Sequence, residues 1–347
     1  MKTRDSIVGF IVVVIFLIVI IFCYPKLSLA QSLDTFDARA HLPESQIDKN
    51  LTYFNLLLQP NSEEKLVVTL TNKSEAEIEL KASFNRAITN NIGVIEYSGI
   101  NEDKSASAPA NIEELVTLSE QVIRIEANQS KDIEMMVKMP ENAFKGVLAG
   151  GLYLEQVSNA EVEGNIKNVF SREIAVLLHN DKTAVAPDVQ IERAAANQVN
   201  SRNVIEVAIE NKGAAYLKEV TIEYQVLLDE KTVVEGKNEQ LSIAPNSLFH
   251  YKVPFEGEAF AAGTYTTNVV VTAGDKKWEG QPTFTIKAEK AKSLNKQAVS
   301  LDEKEPRLSW WLIALGMVLL LLLGGILYLI NRNRQLRQRL KKRRKHK

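Results

Sequence analysis

The chain reads as all-β, with two immunoglobulin-like antiparallel β-sandwich domains in tandem between an N-terminal signal peptide and one C-terminal transmembrane helix. Three observations predict this. Short runs alternating apolar and polar residues recur from Glu64 to Ile286, and a period of two over such lengths marks half-buried strands. The runs fall into two sets, 31–182 and 185–288, separated by a joint at Asp181 to Asp188 that contains Pro187; the second set has the length of one seven-stranded sandwich. Both ends of the chain carry long uncharged apolar stretches, which set the topology.

The N-terminus comes first. Lys2 and Arg4 precede an apolar run from Ile7 to Phe22, and Ser28-Leu29-Ala30 supplies small residues before Gln31. A basic start, an apolar stretch and a small-residue site make residues 1–30 a secretory signal peptide cut after Ala30. The run is long for that role, so an uncleaved signal anchor is the competing reading. Cys23 is the sole cysteine and would leave with the peptide. The mature chain then has no disulfide and depends on packed cores. Such a cysteine-free exterior suits a Gram-positive cell surface.

In the first set, Leu66, Val68 and Leu70 share one face, then Ile78, Leu80, Ala82 and Phe84. Runs at Gly93–Tyr97, Gln121–Ile125, Asp132–Met139, Gly146–Val157 and Val169–Leu178 continue the series. The polar stretch from Ser98 to Glu114 reads as an exposed loop. Pro187 fixes a torsion and removes a donor, which suits a linker.

The second set opens with Val189–Ala194 and Val204–Asn211. Val220, Ile222, Tyr224, Val226 and Leu228 then alternate strictly. Leu248–Val253, Tyr265–Thr272 and a single run from Lys276 to Ile286 follow. The two sets echo each other: Val68-Thr-Leu-Thr-Asn-Lys-Ser74 parallels Val207-Ala-Ile-Glu-Asn-Lys-Gly213. Each Asn-Lys pair is expected to turn a hairpin. Residues 289–309 are polar without sheet pattern and read as a flexible or part-helical stalk.

From Trp310 to Ile330 the chain holds 21 residues without a charge. At about 1.5 Å per residue such a helix crosses a hydrocarbon core of roughly 30 Å. Trp310, Trp311 and Tyr328 lie at its ends, where amphipathic rings prefer the headgroup level. A buried core helix of this length would show a polar face. The tail, 331–347, carries ten Lys or Arg and no acid. By the positive-inside rule it is cytoplasmic and the sandwiches are extracellular.

Residues 31–308 hold 29 Lys plus Arg against 42 Asp plus Glu, a net of −13. That acidic exterior disfavours nucleic acid. The basic tail reads as a topology determinant beside anionic lipid. His41, His179 and His250 are scattered, without metal-ligand spacing. No nucleophile elbow or phosphate-cradling glycine loop occurs, so no cofactor and no enzymatic activity is expected. The sortase motif is missing before the apolar helix, which therefore stays as the anchor.

A set of motifs now stands out. In the first domain they are Leu42-Pro-Glu-Ser-Gln-Ile-Asp48, Tyr53-Phe-Asn-Leu56 with Gln59-Pro60, Leu70-Thr-Asn72, Thr89 through Tyr97, Met139-Pro140 and Phe144 through Gly151. The second domain adds Ala244-Pro-Asn-Ser247, Gly263-Thr-Tyr265, Trp278, Phe284-Thr-Ile286 and Leu294-Asn295. The chain resembles the WxL-interacting protein family of Gram-positive bacteria over nearly its whole length. Asn55 stands where the family commonly has Asp, and Asn61 where Gly commonly follows the proline.

The resemblance implies a membrane-anchored surface binder without catalysis. Its first module would bind peptidoglycan and its second a host extracellular-matrix protein, beside a WxL-domain surface protein. A structural stalk or chaperone-like subunit is the alternative; a cell-wall-acting enzyme stands further off. Candidate ligand contacts are Gln46, Tyr53, Phe54, Asn90, Tyr97, Gly150 and Gly151. Tyr53, Phe54 and Tyr97 offer rings for sugar faces, or else core packing. Gln46 and Asn90 offer amides for acetamido groups, or else turn hydrogen bonds. Gly150-Gly151 marks a bulge first, or else a close backbone approach. Trp278 is expected to fill the second core.

Overall fold

The computed structural model describes residues 35–100, 107–157, 169–255 and 257–299. The expected signal peptide at 1–30, the remainder of the expected stalk beyond Val299, the expected transmembrane helix at 310–330 and the expected cytoplasmic tail lie outside them. Among the described residues, no helix is long and apolar enough to cross a membrane.

The first domain runs β1 (Phe36–His41), β2 (Phe54–Leu57), β3 (Glu63–Asn72), β4 (Ile78–Arg86), β5 (Ile88–Thr89), β6 (Ile95–Glu96), α1 (Ile112–Leu115), β7 (Val116–Leu118), β8 (Val122–Ile125), β9 (Ser130–Lys138), β10 (Leu148–Gln156) and β11 (Ser171–His179). A four-stranded sheet, β1-β3-β9-β7, packs on a five-stranded one, β2-β11-β10-β4-β8. Among the described residues, only β2 runs parallel to its neighbour, β11. The alternation is realised: Leu66, Val68 and Leu70 from one sheet meet Ile78, Leu80 and Leu152 from the other, all buried. Each such side chain contributes about 1.5–3 kcal/mol when taken fully out of water.

The second domain runs β12 (Val189–Val199), β13 (Arg202–Asn211), β14 (Leu217–Leu228), β15 (Lys231–Ile243), β16 (Ser247–Pro254), β17 (Gly263–Ala273), β18 (Lys276–Gly280), β19 (Thr283–Ile286) and α2 (Ala288–Gln297). Its sheets are β12-β13-β16 and β15-β14-β17-β18, with β19 also on β17. Val220, Ile222, Val226, Phe249, Tyr265 and Val271 make the core.

Several expectations change. The run from Lys276 to Ile286 is two strands, because Pro282 has no N–H for a ladder; its carbonyl instead accepts from the Thr267 amide at 2.9 Å. The segment read as a flexible or part-helical stalk begins as helix α2, but instead of standing free that helix lays Ala291 and Leu294 on the second core. Trp278 is half-buried at that core's margin, and fully buried Phe249 and Tyr265 fill the centre. The Asn-Lys turns close no hairpin. Each carries the chain from one sheet of its sandwich to the other, β3 to β4 and β13 to β14. Only Ile95–Glu96 of the 93–97 run is strand, paired with β5 in a small hairpin. Asn61 takes φ 61°, a left-handed conformation that asparagine tolerates nearly as glycine does.

Through that small hairpin the two domains meet. The Ser242 amide donates to Gly93 O at 2.7 Å, and the Val147 amide to Ala214 O at 2.9 Å. The Ala244 amide donates to Thr89 Oγ1 at 2.9 Å. Ala87, Val147, Ala149 and Ala244 form a buried apolar cluster beneath, flanked by Tyr97, Leu177 and Tyr216.

Candidate functional site

Strand alternation decides which groups of the first domain face outward. On β10, Leu152 and Leu154 are buried in the core, so Gly151, Tyr153 and Glu155 lie on the outer face of the five-stranded sheet. Ser83 on β4 and Glu173 on β11 sit opposite Tyr153 in register.

The chain after β6 crosses this face. Asn85 Nδ2 donates to Tyr97 O at 2.7 Å, and the Tyr97 amide donates to Glu173 Oε1 at 3.2 Å. The Tyr97 ring then packs close over Gly151, where a Cβ would stand 2.5 Å from Tyr97 Cγ. On the inner face a Cβ at Gly150 would stand 2.9 Å from the Phe84 ring. Both glycines keep continuous register with β4 and β11. The pair therefore serves close approach, and the expected bulge does not form.

The other candidate residues fall in three places. Phe54 is fully buried in the first core. Gln46, itself buried, pins the loop before β2: its Nε2 donates to Asp48 O and Tyr53 O at 2.9 and 3.0 Å, and its Oε1 accepts from the Asn55 amide at 2.9 Å. Asn90 closes the β5–β6 turn, accepting from the Ile92 and Val94 amides and donating to Glu96. Tyr53 is half-buried against the first core and within electrostatic reach of Tyr97 and Tyr216. Burial pushes the phenols of Tyr97 and Tyr216 up.

Two grooves open on the first domain. One, about 390 Å³, lies where the domains meet and includes Ile47, Asn55, Gly146, His179, Lys182 and Ala214. His179 there contacts Gly146 O at 3.1 Å through Nδ1 and Asn55 Oδ1 at 3.0 Å through Nε2. Burial holds its pKa below the usual imidazole value. The other, about 360 Å³, includes Lys81, Ser83, Ser98, Gln121, Tyr153 and Glu155. Burial raises the Glu173 carboxyl at the Tyr97 crossing, against the lowering effect of the Tyr97 amide. Neither His179 nor Tyr153 was singled out from the sequence. The signal for Tyr153 was there: an aromatic at the outward phase of a strand whose other phase is leucine.

On the second domain, Glu206 gathers His250 Nδ1 at 2.9 Å, Asn197 Nδ2 at 2.9 Å and the Lys252 ammonium. Burial would raise its carboxyl, but the lysine, the amide and the imidazole together hold it down at about 2. Among the described residues, no three His, Cys, Asp or Glu are grouped as a metal site.

Comparison with known proteins adds the following. Residues 36–156 match the model described as WxL Interacting Protein, peptidoglycan binding domain. Residues 161–296 match that described as WxL Interacting Protein, host binding domain. The second match begins ahead of β11, a strand the fold places in the first sandwich. Among curated proteins, no relative matches the chain. Among solved structures, the E. coli chaperone DraB is 14% identical, with 71% of this chain and 96% of that chain covered and a TM-score of 0.28. The Salmonella enterica SafA pilin in complex with the SafB chaperone gives 10% identity, 67% and 100% coverage and a TM-score of 0.26. Overlaps this loose carry no statement about what the present chain does.

Proposed function

Because the chain belongs to the WxL interacting protein family, we propose that it is a membrane-tethered surface scaffold that grips the cell wall with one domain and a protein partner with the other. The carrying observation is the tandem: a peptidoglycan binding domain and a host binding domain on one chain. Backbone hydrogen bonds between them, at Gly93–Ser242 and Val147–Ala214, support a fixed mutual orientation. A wall contact by the first domain would then set the direction in which the second is presented. The role is contact and not turnover.

The apolar segment at 310–330 would hold the scaffold in the bilayer, with the basic tail inside and both domains outside. A WxL-domain surface protein would be the resident partner, and a host extracellular-matrix protein an additional one. The wall contact belongs on the outer sheet face that Tyr97 crosses. Tyr97 and Gly151 lie on that face; Gln46 and Asn90 fix loops beside it, Tyr53 packs half-buried against the first core, and Phe54 and Gly150 support the sheet from within.

Co-sedimentation of the purified full chain with isolated peptidoglycan sacculi tests the reading. Retention that free muropeptides compete away is the expected result. A folded chain that stays in the supernatant removes the wall-binding role. Co-purification from membranes with and without a WxL-domain partner tests the scaffold role in the same way.

A further inference from the structure

We infer that the groove at Tyr153 is the subsite for the wall glycan, and that it takes an N-acetylated amino sugar bearing a carboxylate arm. The inference rests on the wall-binding reading above and assigns it a place and a chemistry.

The groove combines three features that such a sugar needs. The first is a ring for the pyranose C–H face. Tyr153 stands at the outward phase of β10, half-buried, with its hydroxyl donating to Glu155 Oε2 at 3.3 Å. A tyrosine held at its tip keeps its ring in one orientation, which lowers the ordering cost of stacking. The second is apolar surface for an acetamido methyl: Val122, on an edge strand, is 52% exposed at the groove wall. The third is polar complementarity. Lys81 is exposed and stands opposite Glu155 in register without forming an ion pair with it, which leaves its ammonium open to a ligand carboxylate. Gln121, also exposed, and Glu155 supply an amide and an acceptor for sugar hydroxyls.

The volume fits as well. About 360 Å³ lies at the low end of ligand pockets, roughly 300–1,000 Å³, which suits one or two sugar rings of an extended polymer. The interdomain groove also has apolar surface and a lysine, Lys182, but offers no ring for a sugar face: its one ring, His179, is turned to Gly146 and Asn55.

The test is binding of the full chain to sacculi, to muropeptides released by muramidase, and to chitooligosaccharides, which share the amino sugar but lack the carboxylate. Tyr153→Ala is expected to weaken all three by about tenfold or more, while Tyr153→Phe, which keeps the ring but frees its tip from Glu155, is expected to lose clearly less than Tyr153→Ala. Lys81→Gln is expected to weaken muropeptide binding and leave chitooligosaccharide binding unchanged. Native binding together with undiminished Tyr153→Ala binding overturns the assignment and leaves the wall-binding reading standing. Absence of native binding to sacculi removes that reading itself. If Tyr153→Ala proves unfolded by circular dichroism, Gln121→Ala combined with Lys81→Gln decides on the same criterion. Equal losses on muropeptides and chitooligosaccharides for Lys81→Gln overturn the carboxylate assignment.

Discussion

Thr89 Oγ1 accepts the backbone amide of Ala244 at 2.9 Å, a buried bond between residues of different domains. It sits beside the Gly93–Ser242 backbone bond and above the apolar cluster of Ala87, Ala149 and Ala244. Thr89→Val keeps the shape and removes the acceptor. A buried amide left unpaired costs about 1–3 kcal/mol, and here the cost falls on the contact between domains. Hydrogen exchange of the Val variant should therefore speed up at Ala244 and along the 181–188 joint, with both cores still protected. Unchanged exchange at these positions means the domains are not held by this bond.

Asn72 and Asn211 occupy equivalent corners. Asn72 Nδ2 donates to the carbonyls of Ala76 and Ile125 at 2.7 and 3.0 Å, and its Oδ1 accepts from the Ser74 amide. Asn211 Nδ2 donates to Ala215 O and Ala244 O, both at 2.9 Å, and its Oδ1 accepts from the Gly213 amide. Each side chain replaces the ladder where the chain leaves one sheet for the other. Alanine at either position strands several buried polar groups and should lower stability by about 1–3 kcal/mol. Chemical denaturation of Asn72→Ala and Asn211→Ala measures this; a loss below a few tenths of a kcal/mol for both contradicts the corner role.

Gly151 is fixed by Tyr97. A methyl there would stand 2.5 Å from Tyr97 Cγ and 3.0 Å from Ile174 O, so the ring must lift. Gly151→Ala should raise exchange through 95–99 and weaken binding on that face, with the first core intact. Gly150→Ala meets Phe84 and Asn85 O inside the sheet and should lower the melting temperature of the domain itself. If the two variants behave alike, the two faces have been misassigned.

Two groups give stability a pH dependence. Glu206 lies at about 2 in the fold, below its ordinary 4.5. Its contribution is therefore complete above pH 4.5 and is lost as pH falls toward about 2. His179 is held below its ordinary 6.5 by burial, so the fold keeps it neutral where the unfolded chain would protonate. Stability from His179 is present above pH 6.5 and declines as pH falls through its lowered value. Denaturation from pH 7 down to pH 2 should show Glu206→Gln flattening the lower limb and His179→Gln the upper. Curves parallel to the native one count against both assignments.

The sequence carried the strands that have one wet and one dry face. Leu66, Val68 and Leu70, or Val220, Ile222 and Val226, announce themselves because a period of two is what half-burial requires. Strand β15 was silent for the converse reason. It is an edge strand, and from Lys231 to Gln240 no residue is buried, so no alternation had to be kept. Helix α2 was masked by its charges, since only Ala291 and Leu294 face the core. The candidate face was half legible. Tyr97 and Gly151 emerged as a pair of motifs, but their stacking is a tertiary fact with no sequence period. The Asn-Lys echo was visible, whereas its role as a corner between sheets depends on where the next strand lands.

The most direct measurement is hydrogen exchange on the full chain with and without isolated peptidoglycan. The account predicts new protection within 36–156, centred on β4, β8 and β10 around Tyr153, with 189–297 unchanged. Protection confined to the second domain, or none anywhere on a chain that co-sediments with the wall, contradicts it.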